Sequence, residues 1–314
     1  MQFTKLKIFI SVLFLFTGFY LSYAQDSGRK KFSINGHEFL TSKSIKSAKI
    51  ETILLSNLSY GSTGQLNSKG IIIDDKEYLS FSGSLLYAGG NFDYQQKIND
   101  WFAIYLKLHF LGRLGTQIPT ILAEGINTAS GFEIGWLGKI YEHKKGYLSG
   151  SLFSSRNMGS LIDFTGFIED IIDEIPNPKI IDVVPVSRLG AGLHYAHAFS
   201  ETWGTQLELN YFYGETLARN TTSSKVDLGI YVDANFYPKK QIPLGIGMGY
   251  NFTSMPESLY RNDKAANIYN LHIAYTKASD FELGLEITYH KIPSVFYKTT
   301  PKVITNNLIM VFRF

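Results

Sequence analysis

Charged side chains at alternating positions are where this sequence could do chemistry. Lys107, Arg113 and Lys139 fall in two consecutive stretches, and Glu208, Asp227, Asp233, Glu282, Glu286 and His290 fall in three later ones. Each is out of phase with a row of apolar residues: Glu282, Glu286 and His290 alternate with Phe281, Leu283, Leu285, Ile287 and Tyr289. An extended chain throws successive side chains to opposite faces, so the charges share one face and the apolar row takes the other. Basic groups on one side of a confined space and acidic groups on the other set up a field that orients and selects polar solutes. In the competing reading the charges pair with each other, or with an insert, and fill the space.

Other constellations carry less. His194 and His197 suggest a metal pair, but an offset of three on a strand points them to opposite faces. Gly245-Ile246-Gly247-Met248-Gly249 is glycine-rich, yet it keeps strand alternation and lacks a phosphate-loop lysine. Asn220-Thr221-Thr222 is only a formal glycosylation sequon, and Gly-x-Ser-x-Gly is absent. The expectation is therefore no metal, no cofactor and no assigned catalytic residue. A serine seated beside the apolar-face His197 would instead mark a lipid hydrolase.

The elements that position these charges read as strands. Period-two alternation runs through 78–94, 102–110, 132–140, 189–199, 203–213, 226–236, 244–252, 269–275 and 281–290, weakly through 146–156, and ends in 303–314. A bulge is predicted near Gly89-Gly90. Residues 49–61 fit a first strand or a short amphipathic helix. That makes about twelve segments, joined alternately by short links (143–145, 200–201, 278–279) and long ones (62–77, 113–129, 157–185, 215–224, 254–266, 292–302). Soluble sandwiches alternate too, but strict alternation of short and long links is the pattern of a barrel with turns on one side and loops on the other.

Composition agrees. The chain has 314 residues, 45% hydrophobic and 15% aromatic, with 20 Tyr and 23 Phe, as lipid–water girdles require. No cysteine is present, which excludes disulfides and thiolate metal sites. The formal charge is +3, of which Lys5 and Lys7 supply two, so nothing points to nucleic acid. Lys5 and Lys7, the apolar run Ile8–Leu21 and Ser22-Tyr23-Ala24 read as a signal peptide over 1–24. Beyond it no apolar run reaches the roughly 20 residues of a spanning helix, so entry into a membrane must be by strands. The expected layout is a signal at 1–24, a periplasmic N-terminal segment at 25–48 and a barrel over 49–314.

Two features inside the barrel invite an insert. Gly190, Gly192, Gly229, Gly245, Gly247 and Gly249 all fall on the inner face, where a plug could rest or where glycine relieves curvature. In the 157–185 link, Leu161, Phe164, Ile168, Ile171, Ile172 and Ile175 recur at helical spacing before Pro176-Asn177-Pro178. This predicts a helix that folds into the mouth as a constriction or packs on other loops. A shorter helix is predicted from Pro119 toward Gly125.

The last segment closes on Met310-Val311-Phe312-Arg313-Phe314. With the signal and the strand–loop rhythm, this terminal aromatic resembles Gram-negative outer-membrane β-barrel proteins as a broad class, and Ala24-Gln25 resembles secreted proteins of Bacteroidota. The resemblance implies an all-β, closed, antiparallel up-and-down transmembrane barrel with short helices in extracellular loops. It also implies an outer-membrane location, lipid as a partner, and a barrel-assembly machinery that reads Phe314. The function expected is a channel or transporter for a small solute or lipid. The alternatives are a phospholipase-like lipid hydrolase and a non-conducting structural or binding barrel.

Overall fold

The computed structural model describes residues 33–67, 71–73, 76–78, 82–115, 125–215, 222–254, 265–278, 280–291 and 302–314. Twelve of its strands form the barrel: β1 (Ile53–Thr63), β2 (Leu86–Asn99), β3 (Phe102–Leu114), β4 (Gly125–His143), β5 (Gly146–Ile162), β6 (Ile181–Ala198), β7 (Trp203–Glu215), β8 (Thr222–Asn235), β9 (Leu244–Thr253), β10 (Ala266–Tyr275), β11 (Phe281–Lys291) and β12 (Lys302–Arg313). Each pairs antiparallel with its neighbours in sequence, and β12 closes on β1 from Val303↔Thr63 to Arg313↔Ile53. Closure leaves no free edge around the ring, so the backbone amides and carbonyls of the wall find partners without water.

Alternation decides the faces as the sequence predicts. On β11 Leu283, Leu285 and Ile287 are exposed on the outside, whereas Glu282 and Glu286 are buried inside. The outer surface carries apolar residues all round, among them Ile104, Leu106, Leu108, Ile134, Leu152, Leu193, Leu207, Leu209, Leu228, Ile230, Ile246, Met248 and Leu308. Soluble monomers rarely expose contiguous apolar patches beyond a few hundred Å². Trp101, Trp136, Trp203 and Tyr213 are among the exposed aromatics, and Tyr250 and Tyr289 flank Tyr269 with ring centroids 5.3 and 6.4 Å away.

Several local expectations change. Residues 53–63 are strand, not helix. The register runs unbroken past Gly89-Gly90, and the irregularity in β2 lies between Lys97 and Asn99. Tyr78, Ser82 and Gly83 belong to two small ladders in the β1–β2 link rather than to β2 itself. Of the predicted Pro119–Gly125 helix, residues 119–124 lie outside the described residues. A four-residue helix α2 (Tyr237–Lys240) instead occupies the short β8–β9 link.

The helix in the 157–185 link exists as α1 (Phe164–Ile172), started by Asp163, whose carboxylate accepts from the Gly166 amide at 2.8 Å. None of its described side chains lines the internal cavity. Pairing of β5 with β4 and β6 continues to Ile162, beyond the last β3 partner of β4 (Thr128) and the last β7 partner of β6 (Arg188). α1 is carried at the end of that extension. Ile171, Ile172 and Ile175 are exposed there and Ile168 is partly exposed, while the side chains of Leu161 and Phe164 lie outside what is described.

What enters the barrel is the N-terminal segment. The sequence reading leaves residues 25–48 in the periplasm; described from residue 33 onward, the chain turns at Asn35-Gly36 and runs inside the ring from His37 to Ile50. His37, Leu40, Ser42, Ile45, Lys46, Ala48 and Ile50 are all buried. The turn has φ of 51° at Asn35 and 81° at Gly36, joining two-residue strands Ser33–Ile34 and His37–Glu38.

Candidate functional site

The candidate site is the lumen and the segment that plugs it. The plug is re-entrant: it comes in at the short-link end, reaches its apex near Ser42–Lys46, and returns to the same end where β1 starts. At the way in, His37 Nε2 hydrogen-bonds Asp233 Oδ2 at 3.0 Å, and the Leu40 amide donates to that same oxygen at 3.0 Å. Asn235 Nδ2 donates to the Glu38 carbonyl (3.0 Å) and Gln206 Nε2 to the Leu40 carbonyl (3.1 Å). An irregular backbone buried in a barrel has no ladder, so wall side chains must supply its partners.

At the apex the wall turns acidic. The Thr41 amide donates to Glu282 Oε1 at 3.0 Å, Ser42 Oγ to Glu286 Oε2 at 2.6 Å, and the Lys46 amide to Glu208 Oε2 at 2.9 Å. Lys43 Nζ reaches Asn307 Oδ1 (3.0 Å) and Ser59 Oγ (3.2 Å), while Lys46 Nζ lies 3.5 Å from the centre of the Tyr105 ring. On the way out Gln95 Nε2 donates to the carbonyls of Lys49 (2.8 Å) and Glu51 (3.0 Å).

Apolar packing seats the same segment. Leu40 and Ile45 pack with Tyr231 and Ala274, and Ile34, Ala48 and Ile50 join Ala103, Tyr105, Leu137, Tyr147, Phe153, Ala196 and Ala198. Gly245 is what admits Leu40: a Cβ there would lie 2.5 Å from Leu40 Cδ2. Gly204 makes the same room for His37 and Phe39. The inner-face glycines thus split between the two readings: Gly245 faces the plug and Gly229 meets both the wall's Asn251 (2.5 Å) and the plug's Ile45 (3.6 Å), whereas Gly190, Gly192, Gly247 and Gly249 face wall side chains such as Phe153, Asn210, Tyr231 and Asn270.

Beyond the plug a cavity of about 790 Å³ extends toward the long-link end, floored by residues 41–47 and reaching Thr63, Leu85 and Ile126. Of the predicted lining residues, Lys107, Glu208, Asp227, Glu286 and His290 border it. Lys107 pairs with Glu133 on the next strand (3.4 Å) and Asp227 with Lys225 (3.0 Å). Asp233 and Glu282 lie beneath the plug, and Glu282 is held by Arg313 at 2.9 Å. Arg113 donates to the Ile126 carbonyl at the far end (2.7 Å), and Lys139 pairs with Glu142 at the short-link rim (3.0 Å), away from the cavity.

The sequence reading missed Glu133 and Arg313, although both were legible by parity on β4 and β12. It also missed the plug, where Asn35-Gly36 was a hairpin signal. As for catalysis, His194 and His197 do face opposite ways. His197 Nδ1 meets the Tyr195 hydroxyl (3.1 Å), not a serine, while Ser151 Oγ meets His194 Nε2 (2.9 Å) inside the wall, both side chains buried. Among the described residues no group of three or more metal-ligating side chains forms.

No protein-family model matches the chain, and no curated relative does. Among solved structures the chain is similar to the NanC porin (8% identity, TM-score 0.47, covering 82% of this chain and 99% of that one). It is also similar to the KdgM porin in complex with disordered oligogalacturonate (7%, 0.43, 82% and 99%) and the P. putida toluene transporter TodX (11%, 0.46, 84% and 90%). Likeness at this level carries no argument about activity, so function has to be argued from the lumen itself.

Proposed function

We propose that this chain is an outer-membrane channel for a small polar solute, held shut by its own N-terminal segment. Residues 1–24 act as the secretion signal, the twelve strands span the bilayer, and Phe314 serves the assembly machinery. The apolar outer surface supports lipid as the surrounding solvent, since only a closed sheet satisfies its backbone there. The observation that carries the channel reading is how the plug is held. Its contacts are hydrogen bonds to separate wall side chains, the buried His37–Asp233 pair and an apolar seat, with no strand pairing to the ring among the described residues. Such a segment can leave without opening the barrel, and a cavity already waits on its far side.

A non-conducting barrel is the second reading, favoured by how completely residues 37–50 fill the short-link half. Planar-bilayer conductance separates the two. The full chain should be quiet, and a chain lacking residues 33–50 should show stable steps. Silence from a deletion variant that still shows the heat-modifiable migration of a folded barrel would leave the sealed barrel as the function.

A further inference from the structure

We infer that the wall beneath the plug is a cation-selecting track, and that the plug occupies it as a stand-in for a donor-rich, positively charged solute. This rests on the channel reading above and names the solute class that channel would take.

The argument is in what the carboxylates touch. Asp233, Glu282, Glu286 and Glu208 lie on three strands, β8, β11 and β7, and each accepts a hydrogen bond from the plug. The donors are backbone amides, a hydroxyl and the His37 ring, while the Lys46 ammonium lies over Tyr105 with Glu208 and Glu133 nearby. Acceptor capacity remains: Asp233 Oδ1 and Glu286 Oε1 are buried without a partner among the described residues. Carboxylates gathered this way in a confined, largely buried space need donors or cations wherever they are not given them.

Of these carboxylates the wall neutralises only Glu282 with a lysine or arginine of its own among the described residues. Its cations in this stretch are already committed, Arg313 to Glu282 and Lys107 to Glu133. With the plug gone, Asp233, Glu286 and Glu208 face the lumen with no lysine or arginine of the wall paired to them among the described residues. Lys43, Lys46 and Lys49 leave with the plug. Glu208 keeps Asn210 and His194 as wall neighbours, but a confined path lined by carboxylates with no lysine or arginine paired to them concentrates cations and repels anions.

The test is the reversal potential of the open barrel in a potassium chloride gradient. Two variants open it: deletion of residues 33–50, and full-length Leu40→Asp, whose carboxylate would be buried in the apolar seat formed by Tyr231, Ala274 and Gly245 and evict the plug if the deletion fails to fold. Potassium should permeate several-fold better than chloride, and adding Asp233→Asn with Glu286→Gln should cut that preference at least about twofold. Conductance with equal or chloride-favoured permeability overturns the cation track and leaves the channel standing. Silence from both folded variants overturns the channel and the track together.

Discussion

His37 on the plug and Asp233 on β8 meet at 3.0 Å with both side chains fully buried, although 196 residues separate them in sequence. The same Asp233 oxygen also takes the Leu40 amide, so one carboxylate fastens the plug at two points. Asp233→Ala removes both bonds and leaves two buried donors unsatisfied, at a cost of about 1–3 kcal/mol each. The N-terminal segment should then be cut by protease in the folded protein and channel openings should appear. An unchanged, protease-resistant segment would take Asp233 out of the latch.

Gly245 and Leu40 should behave as a pair. A methyl on Gly245 falls within 2.5–2.8 Å of the Leu40 side chain, so Gly245→Ala should loosen the plug while the outer wall is untouched. Adding Leu40→Ala should restore closure measured by conductance. Independent, additive effects in the double variant would show that the glycine serves wall curvature instead.

Lys46 gives the plug a pH dependence. Burial pushes its ammonium down to about 8, more strongly than Asp93, Glu133 and Glu208 pull it up, and Lys107 adds to the lowering. Below about pH 8 the charge is present whether the plug is seated or displaced. Between there and the ordinary lysine value of 10.5, the seated form gives up a proton that the displaced form keeps, so seating strengthens as pH rises through that window. Lys43 and Lys49 are lowered by burial as well, so the Lys46 share is the difference between wild type and Lys46→Met. Protection of the N-terminal segment from protease should climb from pH 8 to 10 in wild type and climb less in Lys46→Met. Equal slopes would mean that Lys46 does not titrate with seating.

Arg313 joins the last strand to the plug, donating to Glu282 Oε2 at 2.9 Å and to Thr41 Oγ1 at 2.8 Å. Arg313→Ala strands a buried carboxylate and should lower barrel stability by about 3–5 kcal/mol, read from the urea midpoint of folding into vesicles. Glu282→Gln in the same chain should recover much of the loss. If it recovers none, the Arg313 contribution is packing rather than charge.

The α1 extension should be dispensable for permeation. Its exposed Ile171, Ile172 and Ile175 stand clear of the cavity, so replacing residues 163–180 with a short turn should leave the conductance of the unplugged barrel within measurement scatter. A larger conductance after the replacement would restore the constriction role to this loop.

The barrel was open to sequence reading because its code is local. A strand facing lipid on one side and a lumen on the other must alternate residue by residue, and Phe281–His290 or Val226–Phe236 declare their faces without knowledge of any neighbour. Link lengths then give parity and strand number. The inward direction of Glu208, Asp227, Asp233, Glu282, Glu286 and Lys107 follows from the same rule. Their partners do not. Parity alone makes Lys107 one pole of a field across the lumen, and the structure gives it Glu133 on the adjacent strand, because register sets which inward residues touch.

What the sequence by itself determined is the wall: twelve antiparallel strands, apolar outside and polar within, since that periodicity is written at every second residue. What only the tertiary structure decided is who occupies the lumen. Residues 37–50 have no period, and their polar partners lie as far as 272 residues away, as between Thr41 and Arg313. Those partners form one surface only after the ring has closed, and an irregular segment buries its amides only where such a surface already waits.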